Sequence, residues 1–157
     1  MTDIYVDADA CPVREEVYRV ATRLRLTVFV VWNGSRPLRP PGLPNVQMIL
    51  VGDRADAADD WIAEHAERDD IVVSADIPLA SRCIQKGAVV LDQRGGLFTE
   101  DNIGAALAGR ELSSHLRDLG NITGGPRPFS DRDRSRFLHR LDEAIRGIRR
   151  RNPGVTA

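Results

Sequence analysis

Five aspartates, Asp7, Asp9, Asp56, Asp59 and Asp76, lie at or near the ends of hydrophobic segments. Asp7 and Asp9 follow the apolar residues 4–6, and Asp76 follows the apolar residues 71–73. In an open α/β sheet, sites form at the carboxyl ends of the strands. Carboxylates that converge there repel one another unless a cation neutralises them. Because such oxygen ligands favour hard cations, the pattern predicts a site for Mg²⁺ or Mn²⁺.

The segments that would position these acids alternate between strand and helix through residue 91. Short β-rich apolar runs predict strands at 3–7, 27–32, 46–51, 71–74 and 88–91. Apolar residues at helical spacing predict helices at 11–25, 54–67 and 78–86. This alternation predicts an α/β protein with a mostly parallel five-stranded sheet flanked by helices.

The last third of the sequence has a different pattern. Short helices are predicted at 100–108 and 110–118, and a final helix from Ser130, with Asp133 three positions later as in a capping box. We therefore expect a single domain over residues 1–151 with a helical C-terminal part, followed by a short tail at 152–157.

Asp59 is the acid whose position is hardest to explain by solvation. On the predicted helix 54–67 it lies within the apolar stripe, three residues before Ile62 and seven before Ala66. A carboxylate in that position needs a partner. A metal ion shared with Asp7 would provide one, and Asp56, at i−3, could support it.

The acids that follow the strands allow two interpretations. Asp7 is predicted to lie on the face of its strand opposite Ile4 and Val6, where an unpaired acid favours a functional role. Asp9 and Asp76 each precede a proline by two or three residues, as helix N-caps often do. Both could be caps, metal ligands or both.

The bulk composition indicates a soluble globular protein. The chain has 157 residues, 42% of them hydrophobic, and a formal net charge of −1. Its longest apolar runs are far shorter than a membrane span. Asp3, Asp7 and Asp9 interrupt the N-terminal segment, so it does not resemble a signal peptide, and we expect a cytoplasmic protein.

The charges are unevenly distributed along the chain. Residues 53–76 contain nine acids and two arginines, a balance of −7, and residues 127–151 contain nine arginines and four acids, a balance of +5. An acidic centre beside a basic segment suits a metal site that holds a polyanion. A solvated helix whose basic end complements the helix dipole explains the basic segment equally well.

A set of short motifs in a fixed order resembles the YaiI/YqxD family of uncharacterised bacterial proteins. The motifs span nearly the whole chain: residues 7–12, 56–59, 74–80, 93–95, Thr99 with Asn102 and Ile103, 123–126 and 130–137. This family looks like a branch of the PIN-like nuclease domains. Those domains are α/β folds with a parallel sheet whose clustered acids hold Mg²⁺ or Mn²⁺ for RNA cleavage.

The resemblance implies roles for individual residues. Asp7 matches the acid of the first strand, Asp59 the helix acid and Asp76 the acid after the fourth strand, and these three would be catalytic. Asp9 and Asp56 match the pattern of the YaiI/YqxD family itself and would help to hold the metal. The arginines expected to contact RNA phosphates are Arg36, Arg39, Arg94, Arg132 and Arg134.

Two other functions compete with an RNA nuclease. Asp7-Ala8-Asp9 resembles the nucleophile motif of haloacid-dehalogenase phosphatases, with Asp7 as nucleophile, although the later motifs of that family come here in the wrong order. A non-catalytic nucleic-acid-binding module would retain the same fold. Gly124 and Gly125 could form an anion-binding turn, although double glycines are more often plain turns.

Overall fold

A computed structural model describes residues 2–105, 108 and 128–152. The strands are β1 (Asp3–Asp7), β2 (Thr27–Trp32), β3 (Val46–Leu50), β4 (Ile71–Val73), β5 (Val89–Leu91) and β6 (Leu97–Phe98). The helices are α1 (Arg14–Leu24), α2 (Ala57–His65), α3 (Ile77–Gln85) and α4 (Asp131–Arg151), with a short 3₁₀ turn at Ala8–Ala10. Residues 100–105 are also helical.

The strands form one six-stranded sheet in the order β3-β2-β1-β4-β5-β6. All neighbouring strands are parallel except β5 and β6, which are antiparallel. The α/β class and the mostly parallel sheet are therefore confirmed. The predicted number of five strands is wrong, because β6 adds a sixth after the turn at residues 93–96.

The sheet separates two hydrophobic cores. Ile4 and Val6 of β1 face the core that is covered by α1 and α4, and Tyr5 faces the core covered by α2 and α3. Side chains of a strand alternate between faces, so Asp7 continues the Tyr5 side at the carboxyl end of β1. This agrees with the expectation that Asp7 lies opposite Ile4 and Val6.

Helix α4 begins with the predicted capping box. The Ser130 hydroxyl accepts a hydrogen bond from the Asp133 N–H (3.3 Å), and the Asp133 carboxylate accepts one from the Ser130 N–H (3.0 Å). The helix then lays an apolar stripe on the first core, with Phe137, Leu141 and Ile145 almost fully buried. The cap and the stripe together fix where this helix starts and which side faces the sheet.

Several predicted boundaries differ from the observed ones. Helix α2 is shorter than predicted, since residues 54–56 form a turn before it and Ala66 is its C-cap. Helix α1 starts at Arg14 rather than at residue 11, with Val13 as its N-cap, and residues 8–10 form a separate 3₁₀ turn. The predicted helix 110–118 and the turn at Gly124 and Gly125 lie outside the described residues. No helix in the described part of the chain is long and apolar enough to cross a membrane.

Candidate functional site

The order in which the chain adds strands to the sheet reverses between β1 and β4. Strands β2 and β3 extend the sheet on one side of β1, and β4, β5 and β6 extend it on the other. The segments that leave the carboxyl ends of β1 and β4 therefore diverge, and a crevice opens between them. In open α/β sheets this switch point is the usual position of a ligand site.

Asp7 and Ser74 lie side by side at this crevice. The register pairs Val6 with Val73, so Asp7, the last residue of β1, comes level with Ser74, the first residue after β4. The Ser74 hydroxyl donates to Asp7 Oδ2 at 3.1 Å and accepts from the Asp76 N–H at 3.0 Å. Ser74 thus links the two acids and fixes the orientation of the Asp7 carboxylate.

The pKa of Asp7 is raised above its ordinary value. Burial is the main cause, and the negative charges of Asp9 and Asp76 add to it. The hydrogen bonds from the Ser74 hydroxyl and the Asp9 N–H oppose the shift, because they favour the ionised form. Burial and the neighbouring negative charges together thus disfavour the ionised form of Asp7.

Asp76 is the N-cap of α3. Its Oδ1 accepts a hydrogen bond from the Leu79 N–H at 2.8 Å, and Pro78 lies in the first turn of the helix. The capping interpretation is confirmed for this residue. The cap also holds the carboxyl group at the end of β4, where it contributes negative charge beside Asp7.

Asp59 lies in the first turn of α2 and is half-buried. It interacts electrostatically with the same acids. Its pKa is raised to about 7, chiefly by burial and then by the charges of Asp76, Asp7, Asp56 and Asp60, in that order of size. The acids of β1, α2 and the β4–α3 connection are therefore close enough to repel one another. Their ionised forms disfavour one another at neutral pH.

Asp9 and Asp56 have less direct roles in this geometry. The capping interpretation of Asp9 is wrong: it lies within the 3₁₀ turn, α1 has Val13 as its N-cap, and Asp9 Oδ1 accepts instead from the Asn33 N–H at 3.3 Å. Asp56 is exposed at the start of α2 and makes no capping hydrogen bond. Both still add negative charge, Asp9 beside Asp7 and Asp56 beside Asp59.

The side chains that could bind a metal ion are not gathered around a single point. Among residues 2–105, 108 and 128–152, no three Asp, Glu, His or Cys side chains form a group that could hold a metal ion by themselves. Mg²⁺ commonly binds through one or two carboxylates and keeps several waters. One or two carboxylates of this crevice, with water or substrate supplying the remaining ligands, would match that mode of binding.

Two of the predicted phosphate-binding arginines already contact acids within the protein. Arg94 Nη1 lies 2.7 Å from Asp133 Oδ2, and the side chain of Asp133 is only 2% exposed. Arg134 Nη1 lies 3.1 Å from Glu16 Oε1. Both guanidinium groups also lie over the Phe129 ring, at 5.6 Å and 5.0 Å from its centroid. These contacts tie α4 to α1 and to the turn after β5.

The other three predicted arginines are exposed. Arg36 donates to the backbone carbonyl of Asp9 at 2.6 Å, which joins the proline-rich segment 33–45 to the turn after β1. Arg39 lies farther along that segment, and Arg132 lies in the first turn of α4. Of the five, Arg36 is tied most directly to the acidic crevice, through the backbone of Asp9.

The acidic crevice also contains residues that were not predicted as site residues. A pocket of about 250 Å³ is lined by Asp7, Asp76, Ser74, Cys11 and Gln93, among others. Ser74 could have been recognised as a hydroxyl that ends a buried strand beside an acid. Gln93 carries no such signal, because only the pairing of β4 with β5 brings the turn after β5 to this position.

Comparison with known proteins identifies the family. The model described as "Uncharacterized BCR, YaiI/YqxD family" matches residues 5–147. The chain belongs to the YaiI/YqxD family. The match includes all of the described crevice residues, and the resemblance inferred from the motifs is confirmed.

Curated relatives of this YaiI/YqxD protein are similar over nearly their full length. A UPF0178 protein of Rhodopseudomonas palustris is 54% identical over 99% of this chain and 98% of its own. One of Nitrobacter winogradskyi is 56% identical over 94% and 92%, and one of Rhodospirillum rubrum is 51% identical over 94% and 98%. No solved structure is a significant match to the chain.

Proposed function

We propose that this protein is a divalent-cation-dependent nuclease that cleaves RNA, with Asp7, Asp59 and Asp76 as its catalytic acids. The observation that carries the proposal is the convergence of acids from three separate elements: Ser74 links Asp7 to Asp76, and burial, followed by the charges of Asp76 and Asp7, raises the pKa of Asp59 to about 7. Proteins rarely gather like charges in a crevice without a cation or a catalytic task for them. The sheet's switch point, where this crevice lies, is the position expected of a ligand site.

The donor atoms favour Mg²⁺ or Mn²⁺ over softer ions. Asp7, Asp59 and Asp76 supply carboxylate oxygens, and Asp9 and Asp56 lie near enough to add negative charge. Hard divalent cations prefer such ligands. A bound divalent cation would activate a water and stabilise the leaving oxygen of an in-line displacement at phosphorus.

The protein's own groups would orient the reaction. Ser74 donates to one oxygen of Asp7 and so holds that carboxylate toward the crevice. The cap to the Leu79 N–H restrains Asp76 in the same way. Ordered carboxylates of this kind lose little entropy when substrate binds, which favours catalysis by positioning. The resemblance to PIN-like nucleases supports RNA as the substrate, and so does Arg36, which donates to the backbone carbonyl of Asp9.

The direct test is cleavage of fluorescently labelled single-stranded RNA by the purified protein. We expect cleavage with Mn²⁺ or Mg²⁺ and none with excess EDTA. In the same buffer, Mn²⁺ should stabilise the folded protein by about 2.7 kcal/mol when its concentration is a hundred times its Kd. Absence of both a thermal shift and cleavage would contradict the proposal and favour a non-catalytic binding module.

The stability of the metal-free protein should depend on pH through Asp59. Its pKa is raised from 3.8 to about 7, so the folded state holds the proton more tightly than the unfolded state does. The contribution of Asp59 to the stability of the folded state is therefore fully present below about pH 4 and is lost as the pH rises through about 7. We expect Mn²⁺ to reduce that fall, because the cation neutralises the ionised carboxylate.

Thermal melting of Asp59→Asn between pH 5 and pH 8 measures this effect. Between pH 5 and pH 8, the melting temperature of the variant should fall less than that of the parent. Asp142→Asn is a matched control, since Arg146 and Arg23 lower the pKa of Asp142 and its shift has the opposite sign. Identical pH profiles for the parent and Asp59→Asn would count against the charge cluster.

The phosphatase alternative has weaker support from the geometry. Phosphatases of the haloacid-dehalogenase type use a lysine near the nucleophile, and the only lysine of this chain is Lys86. Its Nζ donates to the carbonyl of Ala63 at 3.0 Å, near the C-terminal end of α2. That end of α2 leads into the start of β4, whereas Asp7 lies at the opposite end of the sheet. Trapping of beryllofluoride on Asp7 would nevertheless favour the phosphatase.

A further inference from the structure

A groove lined by arginines runs beside α1. It lies between that helix and the proline-rich segment 33–45, and its volume is about 700 Å³. Arg19 and Arg23 line it from the helix, Arg39 lines it from the proline-rich segment, and Arg14 lines it as well. We call this feature the arginine groove. It takes no part in the acidic crevice described above.

A smaller pocket, which we call the connecting pocket, shares lining residues with both the arginine groove and that crevice. This pocket has a volume of about 390 Å³, and Arg14, Arg36 and Cys11 are among its lining residues. Arg14 also lines the arginine groove, and Cys11 also lines the pocket that contains Asp7. The three spaces therefore form a series in which each shares a lining residue with the next, and the acidic crevice lies at its end.

The charge along this path is strongly positive. Five arginines line the groove and the connecting pocket, at positions 14, 19, 23, 36 and 39, against the single acid Glu15. Within the described part of the chain, no ion pair is formed by Arg14, Arg19 or Arg39, whereas Arg23 lies 3.0 Å from Asp142. Positive charge without a local counter-charge attracts a polyanion.

The walls of the groove suit a single strand. Arg19 and Arg23 lie one helical turn apart, and their side chains project from the same face of α1. Pro40 and Pro41 line the groove from the other side, and their fixed φ angles limit the freedom of that wall. A positively charged groove that follows one backbone is typical of sites that bind single-stranded nucleic acid without sequence preference.

We propose that the arginine groove binds the backbone of single-stranded RNA and directs one end of the strand toward the acidic crevice. This inference rests on the proposed function, because it gives the nuclease site the substrate that it would cut. Arg14 and Arg36 would hold the phosphates nearest to the crevice. Arg19, Arg23 and Arg39 would hold phosphates farther away.

Binding can be measured without cleavage. The probe is a short fluorescein-labelled oligouridylate, followed by fluorescence anisotropy in EDTA at several KCl concentrations. Each phosphate contact to a single strand contributes about 0.7 to the slope of log K against log salt. The double variant Arg19→Ala/Arg39→Ala should therefore lower that slope by about 1.4 and weaken binding by about 25-fold at 0.1 M KCl.

A matched control removes two charges elsewhere. Arg68 and Arg150 are exposed and lie toward the end of the sheet where β4 begins, opposite the crevice. Arg68→Ala/Arg150→Ala should keep the affinity and salt slope of the parent within about twofold. Melting temperatures of both double variants verify that they are folded.

The outcomes separate this inference from the proposed activity. Equal affinity and equal salt slope for the parent and Arg19→Ala/Arg39→Ala overturn the proposal that the arginine groove binds RNA, even if the parent cleaves RNA. A parent that binds RNA through the groove but never cleaves it overturns the proposed activity and leaves the groove in place. A parent that binds no oligouridylate at low salt overturns the groove. Equal losses in both double variants also overturn it, because they indicate a general charge effect.

Discussion

Asp7→Asn is expected to reduce Mn²⁺-dependent cleavage of single-stranded RNA by roughly a thousandfold, since several kcal/mol of charge stabilisation in the transition state are lost. The substitution keeps the shape of the side chain, and an amide oxygen can still accept the hydrogen bond from Ser74 that Asp7 accepts now. What it removes is the negative charge at the centre of the crevice. The measurement is the initial cleavage rate at saturating Mn²⁺.

This variant should fold at least as well as the parent. Burial raises the pKa of Asp7, so its ionised form destabilises the folded protein near neutral pH. Loss of activity without loss of melting temperature would therefore separate a catalytic role from a structural one. Asp69→Asn is the control: Asp69 has a positive φ of 65°, which asparagine tolerates, and lies beside Asn152 away from the crevice. Equal cleavage by Asp7→Asn and the parent would contradict the assignment.

Asp133→Ala is expected to destabilise the fold by about 3 kcal/mol, the low end of the range for breaking a buried ion pair. Asp133 is almost fully buried and receives Arg94 at 2.7 Å and the Ser130 N–H at 3.0 Å. Its removal leaves the partly buried Arg94 guanidinium without this carboxylate and takes away half of the capping box of α4. Urea unfolding measures the loss as a lower midpoint with an unchanged m-value.

Asp131→Ala provides the comparison, because Asp131 lies in the same first turn but is fully exposed. Its loss should cost less than about 1 kcal/mol, the scale of an exposed charge at a helix N-terminus. Equal destabilisation by the two variants would mean that the helix dipole, rather than the buried pair, explains the role of Asp133. A larger effect of Asp133→Ala would also support a structural role for Arg94.

The sequence predicted the acids that follow parallel strands because their position depends on local pattern alone. An acid at or just after the end of a buried parallel strand must lie at the carboxyl end of the sheet, and this applies to Asp7 and Asp76. The same reasoning found the capping box at Ser130. Each of these features is set within about ten residues of chain, where periodicity and capping preferences are strong.

The features that sequence reasoning missed depend on distant contacts. Strand β6 has only two residues, and it exists because it pairs with β5 across the turn at residues 93–96. Asp9 resembles a helix cap in sequence, but its carboxylate accepts from Asn33, 24 residues away. The engagement of Arg94 by Asp133 and of Arg134 by Glu16 likewise depends on how α4 docks, which no local pattern contains.

The two edges of the sheet differ in a way that matters for self-association. Strand β6 ends one side with two residues, too short to serve as a template for another chain. Strand β3 ends the other side with five residues, and Leu50 at its end is 63% exposed. An incoming strand would therefore add beside β3, and a lysine in place of Leu50 would protect the protein from aggregation at that edge.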